Sequence, residues 1–222
     1  MPVATLAEDL AARRELKRRL VHASGTGLPL LYVLDLVTWR QFGFVMLACS
    51  AVAAALEFVR LAVGLEWAIY DELTRPYEQE NVAGYGLYMF SITAVVLVFA
   101  PQVAVPATLM LTIGDPVSGL LSGSREAGEP KRPRTLAAMF LVCLAVSVPF
   151  LVPAAGPAAG VVAAVAAAAA ATLADGFTPV ISGYVVDDNA SIPLVAAVAG
   201  GAVLAATGAA PVFDVGVVPA LA

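Results

Sequence analysis

Residues 42–65 read FGFVMLACSAVAAALEFVRLAVGL. With Glu57 and Arg60 as its only charges, this run exceeds the roughly 20 apolar residues a helix needs to cross a bilayer. Working outward, apolar windows also occupy Ala23 to Val37, Tyr85 to Ala100, Val103 to Leu121, Leu136 to Val152, Ala158 to Ala174 and Ile192 to Thr207. The 222-residue chain is 60% hydrophobic and 13% charged, with a mean hydropathy of +0.88. Average proteins carry roughly 25% charged residues, so too few polar groups remain here to coat a soluble globule. The expected fold class is an all-α membrane protein, a polytopic bundle of about seven transmembrane helices. The first window is short and holds Asp35, which leaves room for a tilted or re-entrant path.

Residues 1–22 form a charged segment with no apolar core of the signal-peptide kind. Leu6, Leu10, Leu16 and Leu20 give it a stripe suited to lying on a membrane surface as a basic helix. Residues 23–208 are then the transmembrane bundle and 209–222 a C-terminal tail. Orientation follows from lysine and arginine, which are enriched in cytosolic loops. Five of the twelve lie between Arg13 and Arg19, four between Arg125 and Arg134, and Arg60 and Arg75 accompany the second window. With seven crossings and a cytosolic N-terminus all of these fall on one side, leaving only Arg40 on the other. Cys49 and Cys143 lie in apolar runs without metal-ligand spacing, so neither a disulfide framework nor a zinc site is expected. Nucleic acid is not expected as a partner, and oligomeric state is not legible.

On this topology His22, Glu57, Arg60, Asn81, Asp115, Asp175, Asp187, Asp188 and Asn189 all approach the cytosolic face. Ionisable groups are costly in hydrocarbon and usually face a protein interior or a water-filled cavity, so their common location predicts a site. Gly114-Asp115-Pro116 interrupts the fourth window. Asp followed by Pro reads as an N-cap and first helical position, which predicts a discontinuous helix restarting at Pro116, its dipole aimed at an anion. Ser118, Gly119, Ser122 and Gly123 are small enough for a phosphate to approach. The alternative is a proline kink with a satisfied Asp cap.

Asp187-Asp188-Asn189 offers adjacent hard oxygen ligands that suit Mg²⁺ bridged to phosphates; the alternative is a turn capping the last span. Lys131, Arg132 and Arg134 follow the proposed half-helix, where cations serve a triphosphate, or else topology and anionic lipid. His22 is a general base for an alcohol, a phosphate donor or an interfacial residue. Glu57 and Arg60, three apart on a helix, can pair with each other or shape the cavity.

Taken in order, KRRLVH (Lys17 to His22), EFVR (Glu57 to Arg60), GDPVSGLLSG (Gly114 to Gly123), ADG (Ala174 to Gly176) and DDNASIPL (Asp187 to Leu194) resemble the polyprenol kinase family. This family of CTP-dependent dolichol and phytol kinases is related to the CDP-diacylglycerol synthases. The chain departs from it in having KRPRTLAA where relatives often carry Lys-Ser-x-Glu-Gly, and Asp175 where they often carry Glu. The resemblance implies a multi-pass enzyme with its active site on the cytosolic side. Such an enzyme moves the γ-phosphate of CTP to the hydroxyl of an isoprenoid alcohol and releases CDP, with Mg²⁺ or another divalent cation. It further implies cation binding by Asp115, Asp187, Asp188 and Asn189, and nucleotide binding by Gly114, Ser118, Gly119, Lys131, Arg132 and Arg134. Hydroxyl activation falls to His22 or Asp175, with Asp115 in the catalytic group. The rivals are a phosphatidate cytidylyltransferase-like enzyme and a small membrane transporter.

Overall fold

The computed structural model describes residues 17, 19–64, 67, 70, 74, 78–122, 130–181 and 184–216. Most of the basic N-terminal segment lies outside these, as do Arg75, Gly123, Arg125, Gly183 and the end of the C-terminal tail. Among the described residues the regular structure is helical apart from a two-residue antiparallel pair, β1 (Val180–Ile181) with β2 (Tyr184–Val185). Four helical stretches are long and apolar enough to cross a membrane: Trp39–Val63, Pro101–Ser122, Pro133–Gly176 and Asp188–Thr207. Large apolar side chains face outward along them, including Val52, Leu141 and Val198 at 60%, 62% and 58% exposure. An outer surface of this kind belongs in lipid.

The first window is less helical than its length allows. Residues 19–24 are helical, a turn follows at Gly25 and Thr26, and α1 (Gly27–Val33) has only seven residues, about 10 Å of rise. The chain then reverses through Asp35, which takes a left-handed φ of 55°; Asp is among the few side chains that tolerate this conformation. Thr38 and Gln41 form a capping box that starts α2 (Trp39–Phe58), and a π-helical turn (Val59–Val63) carries it to Gly64, left-handed at φ 70°. Next come α3 (Gly84–Val98) and α4 (Pro101–Leu109), the latter entered through a proline whose missing N–H costs nothing at that position. A π-helical turn (Met110–Gly114) joins α4 to α5 (Asp115–Ser122), and this stretch is the most buried of the four.

The fourth span is therefore not broken as the Asp-Pro pair suggests. Asp115 is helical (φ −61°, ψ −47°) and the chain widens into a π turn in place of ending. Burial explains the difference: a severed helix here would leave several backbone groups unpaired in an apolar core, whereas a π turn displaces only one or two.

α6 (Pro133–Gly176) has 44 residues and would extend about 66 Å if straight, roughly twice the hydrocarbon thickness. It doubles back at Gly156, whose φ of 78° and ψ of 167° are open only to glycine. Two observations fix the hairpin. Gly160 lies so close to the Leu151 carbonyl that no side chain would fit, and Lys131 N donates to Gly176 O at 3.2 Å, tying the two ends together. α7 (Asp188–Thr207) packs against the second arm through Gly200, which faces Ala167 and the Ala163 carbonyl, a small-residue contact suited to helices in lipid. At the far end, Ala100 N donates to Val212 O at 2.9 Å and Phe99 pairs with Phe213.

Candidate functional site

The π turn creates the first element of the site. In π register the Leu111 carbonyl would be met by residue 116, but Pro116 has no N–H. His22 takes the vacant place, its Nε2 donating to Leu111 O at 3.1 Å while standing 3.7 Å from Asp115 Oδ2. That bond places the proton of the neutral ring on Nε2. Tyr88 holds the same histidine from the other side: its ring meets the imidazole edge-on at 4.6 Å and its hydroxyl donates to His22 O at 3.3 Å. Gly25 permits this approach, because a side chain there would overlap the Tyr88 hydroxyl.

One turn along α5, Ser118 points into the hairpin of α6. Its hydroxyl donates to Asp175 Oδ2 at 2.6 Å, and Lys131 Nζ reaches Asp175 Oδ1 at 2.5 Å and Ser118 Oγ at 2.9 Å. All three residues are buried. Asp115, Asp175 and Asp188 each present a carboxylate oxygen, and these atoms lie within 4.8 Å of one another. Three carboxylates so close repel strongly unless a cation joins them. Lys131 offsets one of these formal charges, and a divalent ion would offset more. The donors are all hard oxygens, as Mg²⁺ prefers. Nearby, Asn189 Oδ1 is buried and meets no hydrogen-bond donor, which also fits a cation or a bound ligand.

A cavity of about 360 Å³ adjoins the cluster. Arg19, His22, Asp115 and Asn189 are among its polar lining residues, and Val21, Leu28, Tyr88 and Met89 among its apolar ones. Glu57 and Arg60 shape it from behind. They pair at 2.7 Å, Arg60 also donates to the carbonyls of Glu78, Gln79 and Asn81, and Glu57 Oε2 accepts from Ala83 N. This network fixes the turn into α3 and so sets where Gly84 and Tyr85 stand on the cavity wall.

Several residues expected at the site take other places. Asp187 is the N-cap of α7, its Oδ1 accepting from Asn189 N at 2.9 Å and from Asn189 Nδ2 at 2.7 Å, so it is Asp188 that turns into the cluster. Gly114 abuts Met139 Sδ and Cys143 Sγ, where its lack of a side chain serves helix packing. No helix begins at Pro116, so no free amides point at an anion there. Lys131 is engaged by Asp175, while Arg132 and Arg134 are exposed outside the cavity lining. Arg19 and Tyr88 were not singled out by sequence. Arg19 sits within KRRLVH and had a signal; Tyr88 is one aromatic in an apolar run and had none. Comparison of the chain with protein-family models, curated proteins and solved structures returns no match.

Proposed function

We propose that this chain is a seven-crossing lipid kinase that transfers the γ-phosphate of CTP to the hydroxyl of a membrane isoprenoid alcohol. The observation that carries the reading is the convergence of His22, Asp115, Asp175, Asp188 and Lys131, from distant parts of the chain, beside a cavity lined by both polar and apolar residues. A charged nucleotide and a lipid hydroxyl must meet at such a boundary. Lys131 N bonded to Gly176 O puts both ends of the α6 hairpin at the site. Counting that hairpin as two passages, and α1 with residues 19–24 as one, gives seven passages between the two ends. The positive-inside rule makes the site end cytosolic.

In the reaction the lipid oxygen forms a bond to the γ-phosphorus as the bond from that phosphorus to the β,γ-bridging oxygen breaks. CDP leaves with the electron pair, and the hydroxyl proton passes to a base. His22 suits that role, since the bond to Leu111 O holds Nε2–H and leaves Nδ1 as the basic atom of the ring. Asp115, Asp175 and Asp188, with the Asn189 amide oxygen, would hold a divalent cation, which when bound offsets charge on the phosphate oxygens. Lys131 holds Asp175 in position, and Tyr88 does the same for His22. A base beside the cluster favours an alcohol acceptor over the phosphatidate of a cytidylyltransferase, because a phosphate nucleophile is already ionised. Membranes carrying the chain, given γ-labelled CTP, Mg²⁺ and a polyprenol, should yield labelled organic-soluble phosphate, and Asp115→Asn membranes should not. Equal label in both would sink the proposal.

A further inference from the structure

Resting on the kinase reading, we propose that Arg19 grips the phosphoryl group in transit and that Gly119 is the seat that holds it there. Arg19 is the only lysine or arginine lining the cavity among the described residues. Its guanidinium lies against α5 where Gly119 has no side chain: a Cβ at that position would stand 3.0 Å from Arg19 Cζ, 3.1 Å from Nη1 and 3.3 Å from Nε. Contact with all three atoms means that the guanidinium group itself, and not the aliphatic stem, rests on the helix. Gly119 follows Asp115 by four residues, so the two positions are neighbours, about 6 Å apart, on one face of the helix.

The cavity thus has Arg19 and Asp115 in one lining, and Asp115 belongs to a carboxylate cluster suited to a divalent cation. A phosphate held through such a cation would meet the donors of Arg19 as well. The planar, permanently charged fork of arginine matches phosphate oxygens in a way a lysine does not. The other cations expected to serve phosphate are placed elsewhere, Lys131 on Asp175 and Arg132 and Arg134 outside the cavity lining. A Cβ at residue 119 would require the guanidinium to give by a few tenths of an ångström.

The test compares Arg19→Gln, Arg19→Lys, Gly119→Ala and a control at the opposite end of the bundle, Arg40→Gln, all purified in detergent. Loss of one charge-stabilising donor should lower kcat about 100-fold in Arg19→Gln, with KM for the lipid alcohol changed less than about threefold. Arg19→Lys should recover part of the loss, Gly119→Ala should show an intermediate loss, and Arg40→Gln should match the unaltered protein. Binding of inorganic pyrophosphate with Mg²⁺, measured calorimetrically on the same samples, should weaken about tenfold in Arg19→Gln. If the unaltered chain transfers label and Arg19→Gln does so equally well, the role of Arg19 is overturned and the kinase reading stands. If no label is transferred yet Arg19→Gln still loses pyrophosphate binding, the phosphate site stands and the kinase reading falls. Pyrophosphate binding that is absent, or unaltered in Arg19→Gln, with no transfer overturns both.

Discussion

At the residue scale the site depends on which of two neighbouring groups faces inward. Asp187 and Asp188 are chemically equivalent in the sequence; helix phase separates them, the first capping α7 and the second joining Asp115 and Asp175. Two different losses follow. Under the proposed function, Asp188→Asn should raise the Mg²⁺ concentration for half-maximal activity about tenfold, because the proposed cation site loses a charged ligand. Asp187→Ala should leave that concentration unchanged and cost about 1 kcal/mol of stability through the lost cap. A Mg²⁺ titration and a thermal melt of each variant check both. Lys131 offers a third case. Its pairing with buried Asp175 means that Lys131→Met strands a carboxylate, with an expected loss of about 3 kcal/mol or more. In a Lys131→Met, Asp175→Leu double variant most of that loss should return, as thermal unfolding would show, while activity stays absent.

At the scale of elements, Gly114-Asp115-Pro116 was legible as an irregularity but not as its kind. Asp-Pro carries the local signature of a helix start, and only the burial of the whole Pro101–Ser122 stretch makes a continuous helix with a π turn the better solution. The consequence reverses the expected polarity: in place of amides free for an anion, the turn leaves a carbonyl that anchors His22. Pro116→Ala restores an N–H able to compete for the Leu111 carbonyl. Activity should fall about tenfold as His22 loses its anchor, with the melting temperature unchanged or raised, since proline inside a helix is costly. Activity equal to that of the unaltered chain would show that the Leu111 bond has no part in placing the base. The α6 bend is the opposite case. Separate windows on either side of residues 153–157 were readable, and the chain turns there because Gly156 can adopt a conformation closed to other residues.

For the whole molecule, composition alone carried the membrane assignment, and four helices long and apolar enough to cross a membrane, with exposed apolar side chains such as Val52 and Leu141, are consistent with it. The candidate site was legible as a set of dispersed residues at one end, because burying isolated charges in lipid requires them to be gathered somewhere. Which of them touch was not legible: it depends on the α6 hairpin bringing Lys131 and Asp175 together across a chain separation of 44 residues. What the cavity accepts is decided by chemistry, and one measurement addresses it directly. CTP labelled differently in its α- and γ-phosphates is incubated with the purified chain, Mg²⁺ and a long-chain isoprenoid alcohol. The account predicts γ label in a lipid phosphomonoester and α label in CDP; α label in the lipid, or no label there at all, would contradict it.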